Sequence, residues 1–299
     1  MKKGKTYLKA APDFVVLGHI TRDIQPDGSF SLGGTATFAA LTAQRLGVDS
    51  GIVTCAGAQL LRSLPERLPG IAIHARPSDA TTTFTNTYTE QGFRIQYLHE
   101  RADALHPEDV PQDWLAAPIV LFGPLAQEID ASFTTLFPRH QGRVVAATPQ
   151  GWLRRWDSDR RVWPAPWQDA PQILPALDAL ILSHDDLLPF VDGNRQEADS
   201  ILAQWSKHVP MLVATDGRHG ATLFRSGATT RFPAYPTSES DPTGAGDVFA
   251  AAFLVHFSQH HQPEEAVNFA NCVASFSVEK PGTIGIPSPA QVQTRFKKL

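Results

Sequence analysis

The run Ser240 to Phe253, SDPTGAGDVFAAAF, holds the residues with the plainest chemical meaning. Thr243-Gly244-Ala245-Gly246 is a small-residue turn that leads straight into an apolar helix. Its free backbone N–H groups and the positive end of the helix dipole converge on one point, which suits an anion. Asp247 stands in the first turn of the same helix, where its carboxylate is favoured and can take a proton from a hydroxyl close to the bound anion. Taken alone, a Gly-rich turn followed by Asp also fits a tight turn with a capping carboxylate. However, the other usual phosphate-binding patterns are missing: there is no GxxxxGK[ST] loop, no HRD or DFG set and no GxGxxG after the first strand.

Such a turn needs a rigid frame, and the chain reads as one. Phe14 to Gly18 (FVVLG) is wholly apolar and ends in Gly, as a strand covered on both faces does. A polar stretch, Thr21 to Ser31, follows. Gly33-Gly34 then opens a helix with Phe38, Leu41 and Leu46 on one face and Gly47 as its stop. Ser50 to Thr54 and Ile71 to Ala75 read as strands around a helix over Ala58 to Leu68, the alternation of a parallel sheet flanked by helices. Ala80 to Tyr88 and Phe93 to Leu98, Thr-rich and aromatic around a turn at Gln91-Gly92, read as a β-hairpin able to form a lid. Buried strands resume at Ile119 to Phe122, Val144 to Ala147, Ala179 to Leu182 and Met211 to Ala214, with helical segments near Ser132 to Phe137 and Arg195 to His208. Trp152, Trp156, Trp163 and Trp167 stud a Pro-rich stretch and read as packing rather than a ligand box.

Composition narrows the partners. The 299 residues include 26 Lys and Arg against 30 Asp and Glu, a formal charge of −4 with no basic cluster, which argues against nucleic acid. Two cysteines, Cys55 and Cys272, lie far apart and fit a reducing, cytoplasmic setting with both thiols in the core. MKKGKTYLKAAPDF lacks the apolar stretch of an export signal, and no run approaches the roughly 20 apolar residues of a membrane span. Residues 1–12 read as a flexible tail and 13–299 as a single domain, with lid segments from about 19–32 and 80–100.

DPTGAGD, from Asp241 to Asp247, resembles the signature of the ribokinase-like PfkB carbohydrate kinases. Other blocks of that family recur in order: Asp23 after the first strand, Gly33-Gly34 opening a helix that ends at Leu46-Gly47, TDGRHG at Thr215 to Gly220, and FANCVASFSVEKPG at Phe269 to Gly282. The resemblance implies a three-layer α/β/α sandwich with a mainly parallel central sheet and a small β lid. It implies Asp247 as catalytic base, with the backbone of Gly244, Ala245 and Gly246 as anion hole for the transferred phosphoryl group. Asp23, Gly33 and Gly34 would hold the acceptor; Thr215, Gly217, Gly220, Asn271 and Gly282 would hold ATP. Mg²⁺ would accompany the ATP, and a monovalent cation such as K⁺ could sit near Asp241 and the 280–283 loop. A homodimer through the lid is a further expectation.

Two departures stand out. Ribokinases and adenosine kinases commonly carry Asn where this chain has Phe38, so the acceptor pocket differs from theirs. Where many members show Asn-x-x-Glu near the metal, this chain has Ser183 and Asp186, leaving Asp186 to reach a metal through water. Gly18-His19 with Arg22-Asp23, the Thr81 to Phe84 run leading to His99 to Ala102, and Pro149 to Arg154 resemble the myo-inositol kinase-like members. The expected activity is ATP-dependent phosphorylation of a hydroxyl on a small polyol or sugar. A nucleoside kinase of the same fold and a non-catalytic polyol-binding regulator are the alternatives.

Overall fold

The computed structural model describes residues 11–88 and 94–297. Most of the expected tail and the turn at Gln91-Gly92 lie outside the described residues. The chain order begins with β1 (Phe14–Leu17), β2 (Thr21–Ile24), β3 (Phe30–Gly33), α1 (Thr35–Arg45), β4 (Ser50–Gly57), α2 (Ala58–Arg67), β5 (Ala72–Ser78), β6 (Thr83–Tyr88) and β7 (Arg94–Glu100). It continues with β8 (Ile119–Phe122), β9 (Val144–Ala147), β10 (Arg154–Trp156), β11 (Val162–Pro164), α3 (Ala170–Ile173), β12 (Ala179–Ser183), α4 (Arg195–Trp205) and β13 (Met211–Thr215). It closes with β14 (Ala221–Arg225), β15 (Ala228–Phe232), α5 (Ala245–His260), α6 (Pro263–Ser277) and α7 (Pro289–Arg295).

Nine strands form one sheet in the order β15-β14-β13-β12-β9-β8-β1-β4-β5. It is parallel from β13 to β5, while β14 and β15 add an antiparallel edge. The wholly apolar β1 lies between β4 and β8 with all four residues buried, which explains why it carries no alternation. The chain runs outward from β1 on one side through β4 and β5, then returns to β8 on the other. That reversal opens a crevice at the carboxyl ends of the strands, the place where open α/β sheets bind ligands.

Two apolar layers cover the sheet. One packs α1, α5 and α6 against side chains such as Val16, Ile52 and Val213; the other packs α3, α4 and the connecting turns against Val15, Phe122 and Leu180. Helix α5 is buried continuously from Val248 to His256, so its apolar run faces neighbours all round instead of showing a stripe. Both cysteines are buried free thiols. Ser132 to Phe137, expected as a helix, is a short 3₁₀ turn over Ala131–Thr135 capped by the Asp130 carboxylate. Among the described residues no helix is long and apolar enough to cross a membrane.

A second sheet, β3-β2-β6-β7, stands over the crevice as the expected lid. His19 and Ile20, expected within it, are fully buried and lie in the connection from β1 into it. His19 Nε2 faces the Asp103 carbonyl at 3.0 Å, which makes it the protonated nitrogen, so Nδ1 accepts from the Thr82 hydroxyl at 2.7 Å. The Thr82 oxygen in turn receives the Ala102 N–H. Glu128, also buried, accepts N–H groups from His19, Leu125 and Ala126. Burial pushes the His19 imidazole below its ordinary value, in keeping with the neutral tautomer these bonds require. The strands entering and leaving the lid are thus tied to the body at one place.

The tryptophan-rich segment, which sequence periodicity does not resolve, folds as the small antiparallel hairpin β10–β11. Trp152 and Trp167 stack in the core with centroids 4.9 Å apart, and Trp163 Nε1 donates to Asp157. Trp156 packs against the lid residues Phe84 and Leu98.

Candidate active site

Gly244 caps α5 with φ +77°, a left-handed conformation that favours glycine. A Cβ there would also lie 2.4 Å from the Phe38 ring. Phe38, on α1, is therefore the floor under the glycine turn, buried to 3% exposure. This explains its departure from the family pattern: it packs against the turn instead of offering an amide to a ligand.

In the turn expected to hold an anion, one of the three expected amides is engaged within the chain. The turn closes with the Ala245 N–H donating to the Pro242 carbonyl at 3.1 Å, so that amide is occupied. The N–H groups of Gly244, Gly246 and Asp247 have no acceptor among the described residues, and nothing lies within 4 Å of where a side chain on Gly246 would begin. Open space therefore adjoins unpaired donors at the head of a helix 16 residues long.

Asp247 is half-buried beside this space. Its Oδ1 accepts the Thr35 hydroxyl at 2.7 Å, a bond from the first residue of α1. Burial pushes the Asp247 carboxyl up to about 6; the Thr35 hydrogen bond and the Arg154 charge oppose that rise, while the Asp186 and Asp23 charges add to it. Three carboxylates and one guanidinium thus share one electrostatic neighbourhood around the expected base.

Asp23 lies against the glycine pair as expected. An added Cβ on Gly33 would sit 2.2 Å from Asp23 Oδ2, and Thr21 donates its hydroxyl to Oδ1 at 3.1 Å. Gly34, with φ +90°, presses on the His19 carbonyl and Leu125. Asp186 accepts the Ser183 N–H on Oδ2 and the Gln150 amide on Oδ1. With both oxygens engaged, it suits contact with a metal through water better than direct ligation. No group of three or more His, Cys, Asp or Glu able to hold a metal occurs among the described residues.

The expected donor loop adjoins the site, because Ser183 and Thr215 pair at the carboxyl ends of β12 and β13. Gly217 and Gly220 both have positive φ, and Gly220 lies against the backbone of Phe232 to Ala234, too close for any side chain. Asn271 is buried and donates its amide to the Pro233 carbonyl at 3.2 Å, so it fastens α6 to this wall with the nitrogen already engaged. Asp241 accepts the N–H groups of Thr243 and Gly282, joining the glycine turn to the 280–283 loop. Burial raises the Asp241 carboxyl, but these bonds outweigh it and hold the group below its ordinary value. Asp241 thus has partners without a cation.

Sequence reasoning passed over Thr35, Gln150 and Arg154 as site residues. Thr35 follows the glycine pair directly, a position that a search for polar groups at the head of α1 would have found. Arg154 opens the β10–β11 hairpin and Gln150 lies in the short turn before it, a segment whose periodicity gives no placement.

The model of the pfkB family carbohydrate kinases matches residues 157–291. A probable fructokinase-5 from Arabidopsis thaliana is 28% identical over 53% of this chain and 53% of its own length. This chain thus spans about half the length of that plant relative. The fructokinase of Klebsiella pneumoniae is 27% identical over 85% of this chain and 87% of its own. Among solved structures, a pyrophosphate-dependent kinase of the ribokinase family, complexed with a pyrophosphate analog and myo-inositol, superposes with a TM-score of 0.77 at 23% identity, covering 94% of this chain and 99% of its own. That likeness shows the ribokinase-like sandwich and lid, and over residues 157–291, a little under half of its length, the chain is similar to the pfkB family of carbohydrate kinases.

Proposed function

We propose that this protein transfers a phosphoryl group to a hydroxyl of a small polyol or sugar, with myo-inositol the first acceptor to consider and ATP–Mg²⁺ the donor. The observation that carries the reading is the placement of Asp247, with its raised carboxyl, at the head of α5 beside three unpaired amides and the open space next to Gly246. A base with a pKa of about 6 is ionised near neutral pH yet keeps useful proton affinity. The acceptor hydroxyl would lie against Asp247 Oδ2, the oxygen not held by Thr35, with Asp23 and the Gly33-Gly34 backbone fixing the remaining hydroxyls. Charge developing on the transferred group would meet the amides of Gly244, Gly246 and Asp247, donors already oriented and needing no rearrangement. Mg²⁺, when bound, neutralises donor phosphate charge; Asp186 would face it through water. The lid, tied to the body at His19 and Thr82, would exclude water from the acceptor.

A second donor reading has specific support. The superposable kinase is described as pyrophosphate-dependent, and the Asn271 amide that would face an adenine is engaged by Pro233. Pyrophosphate requires the anion hole but no base-binding wall. The test is a turnover panel of myo-inositol, ribose, fructose, adenosine and cytidine, each with ATP and with pyrophosphate in Mg²⁺ and K⁺, products read by phosphorus NMR. Phosphorylation of a polyol or sugar supports the reading. Phosphorylation of a nucleoside alone moves the protein to the nucleoside kinases, and tight polyol binding without turnover moves it to a regulator.

A further inference from the structure

A cavity of about 420 Å³ opens between the lid and helix α2. It is separate from the crevice that holds Asp247. Arg22 and Asp23 are consecutive on β2, so their side chains leave opposite faces of the lid sheet. Asp23 turns to Gly33 over the crevice, whereas Arg22 lines the cavity together with Phe30 of β3 and Arg67, the last residue of α2.

The cationic lining is built around one ring. The Arg22 guanidinium carbon lies 4.5 Å from the centroid of Phe30, and that of Arg67 lies 4.6 Å from the same centroid. The two carbons are therefore no more than about 9 Å apart. Neither guanidinium has an ion-pair or hydrogen-bond partner among the described residues. Arg22 Nε is in addition shut off from solvent without an acceptor, which is unfavourable for a charged donor. Stacking on a ring attracts a cation but occupies none of its N–H groups. Both forks thus keep their donors for a ligand.

A single tetrahedral oxyanion suits two forks across this span, because it has oxygens enough to accept from both at about 2.8 Å. The cavity is larger than a phosphate. Asp79, Glu100 and Gln59 also line it, and two carboxylates with a carboxamide suit hydroxyl groups while repelling a second anionic group.

We propose that this cavity binds the phosphate monoester of a small hydroxylated molecule, with Arg22 and Arg67 holding the phosphate and Asp79 and Glu100 accepting its hydroxyls. The site goes beyond the function proposed above and stands without it. Arg22 belongs to the lid and Arg67 to a helix packed on the body, so a bound monoester joins the two.

The test is calorimetric titration of the protein with glucose 6-phosphate, myo-inositol 1-phosphate, inorganic phosphate and glucose. At least one monoester should bind native protein more tightly than inorganic phosphate does, and glucose should not bind. Arg22→Gln and Arg67→Gln should each weaken the monoester about tenfold or more. Arg67→Lys keeps the charge without the fork and should recover only part of that loss. Arg67 is exposed, so its variants should melt as native protein does, which separates lost recognition from lost folding. The glycine turn at the head of α5 is the competing location for a phosphate, so Gly246→Ala is titrated alongside and should keep the native affinity. Binding lost in Gly246→Ala but kept in both arginine variants, inorganic phosphate binding as tightly as either monoester, or no binding of either monoester overturns the site. None of these outcomes bears on the kinase reading, which the turnover panel decides separately.

Discussion

The hydroxyl of Thr35 donates to Oδ1 of Asp247 at 2.7 Å, joining residues 212 positions apart at the heads of α1 and α5. This bond fixes which carboxylate oxygen remains for a substrate, and it lowers the proton affinity that burial raises. Thr35→Val removes the bond but keeps the shape. It should lower kcat/KM about tenfold and move the acidic limb of the pH profile upward. Thr35→Ser should restore both. A pH profile unchanged in Thr35→Val contradicts the assignment.

The pH dependence of native protein follows from the same carboxyl. Asp247 must be ionised to accept a proton, so kcat/KM should rise with pH and level off above about 6. An ordinary aspartate would place that limb near 4. A profile flat from pH 5 to 8 excludes Asp247 as the titrating base.

Stability should respond in the opposite sense. A carboxyl whose folded pKa lies above its unfolded value favours the folded state below about 3.8, and that contribution is lost as pH rises through about 6. At pH 7.5 native protein therefore carries an ionised, half-buried Asp247 that Asn would relieve. Asp247→Asn should be more stable by about 1–3 kcal/mol at pH 7.5, with the gain shrinking toward pH 4. Denaturant melts at the two pH values measure it, and equal or lower stability of the variant at pH 7.5 would show that the site does not penalise the charge.

Gly244→Ala meets two obstacles at once. The left-handed φ disfavours any side chain, and the new methyl would press into the Phe38 ring. The variant should lose at least about 2 kcal/mol of stability and nearly all turnover. Gly246→Ala, with nothing within 4 Å, should fold normally and lose turnover only by crowding the anion. Similar melting temperatures for Gly244→Ala and native protein would contradict the packing argument.

Much of the fold is legible in the sequence because buried parallel strands leave unbroken apolar runs: FVVL, IVLF and VVAA are all entirely buried. The glycine turn is legible for a similar reason, since TGAGD leaves the chain few conformations. What the sequence hides is long-range. The Ala245 amide is lost to Pro242 by the geometry of one turn, and the Thr35 bond depends on two helices meeting. Asn271 looks like a helix-surface residue until β15 brings Pro233 against it. The hairpin that delivers Arg154 is held by tryptophan stacking and by backbone contact with the lid, neither of which has a period to read.

The central claim is that Asp247 is the base of a phosphoryl transfer, and the most direct measurement is single-turnover phosphorylation of the best acceptor by native protein and Asp247→Asn. Acceptor binding is followed in parallel by calorimetry. The account predicts a rate at least about 10³-fold lower in the variant with acceptor affinity within a few-fold of native. A variant that binds the acceptor normally and transfers phosphate at the native rate would contradict it.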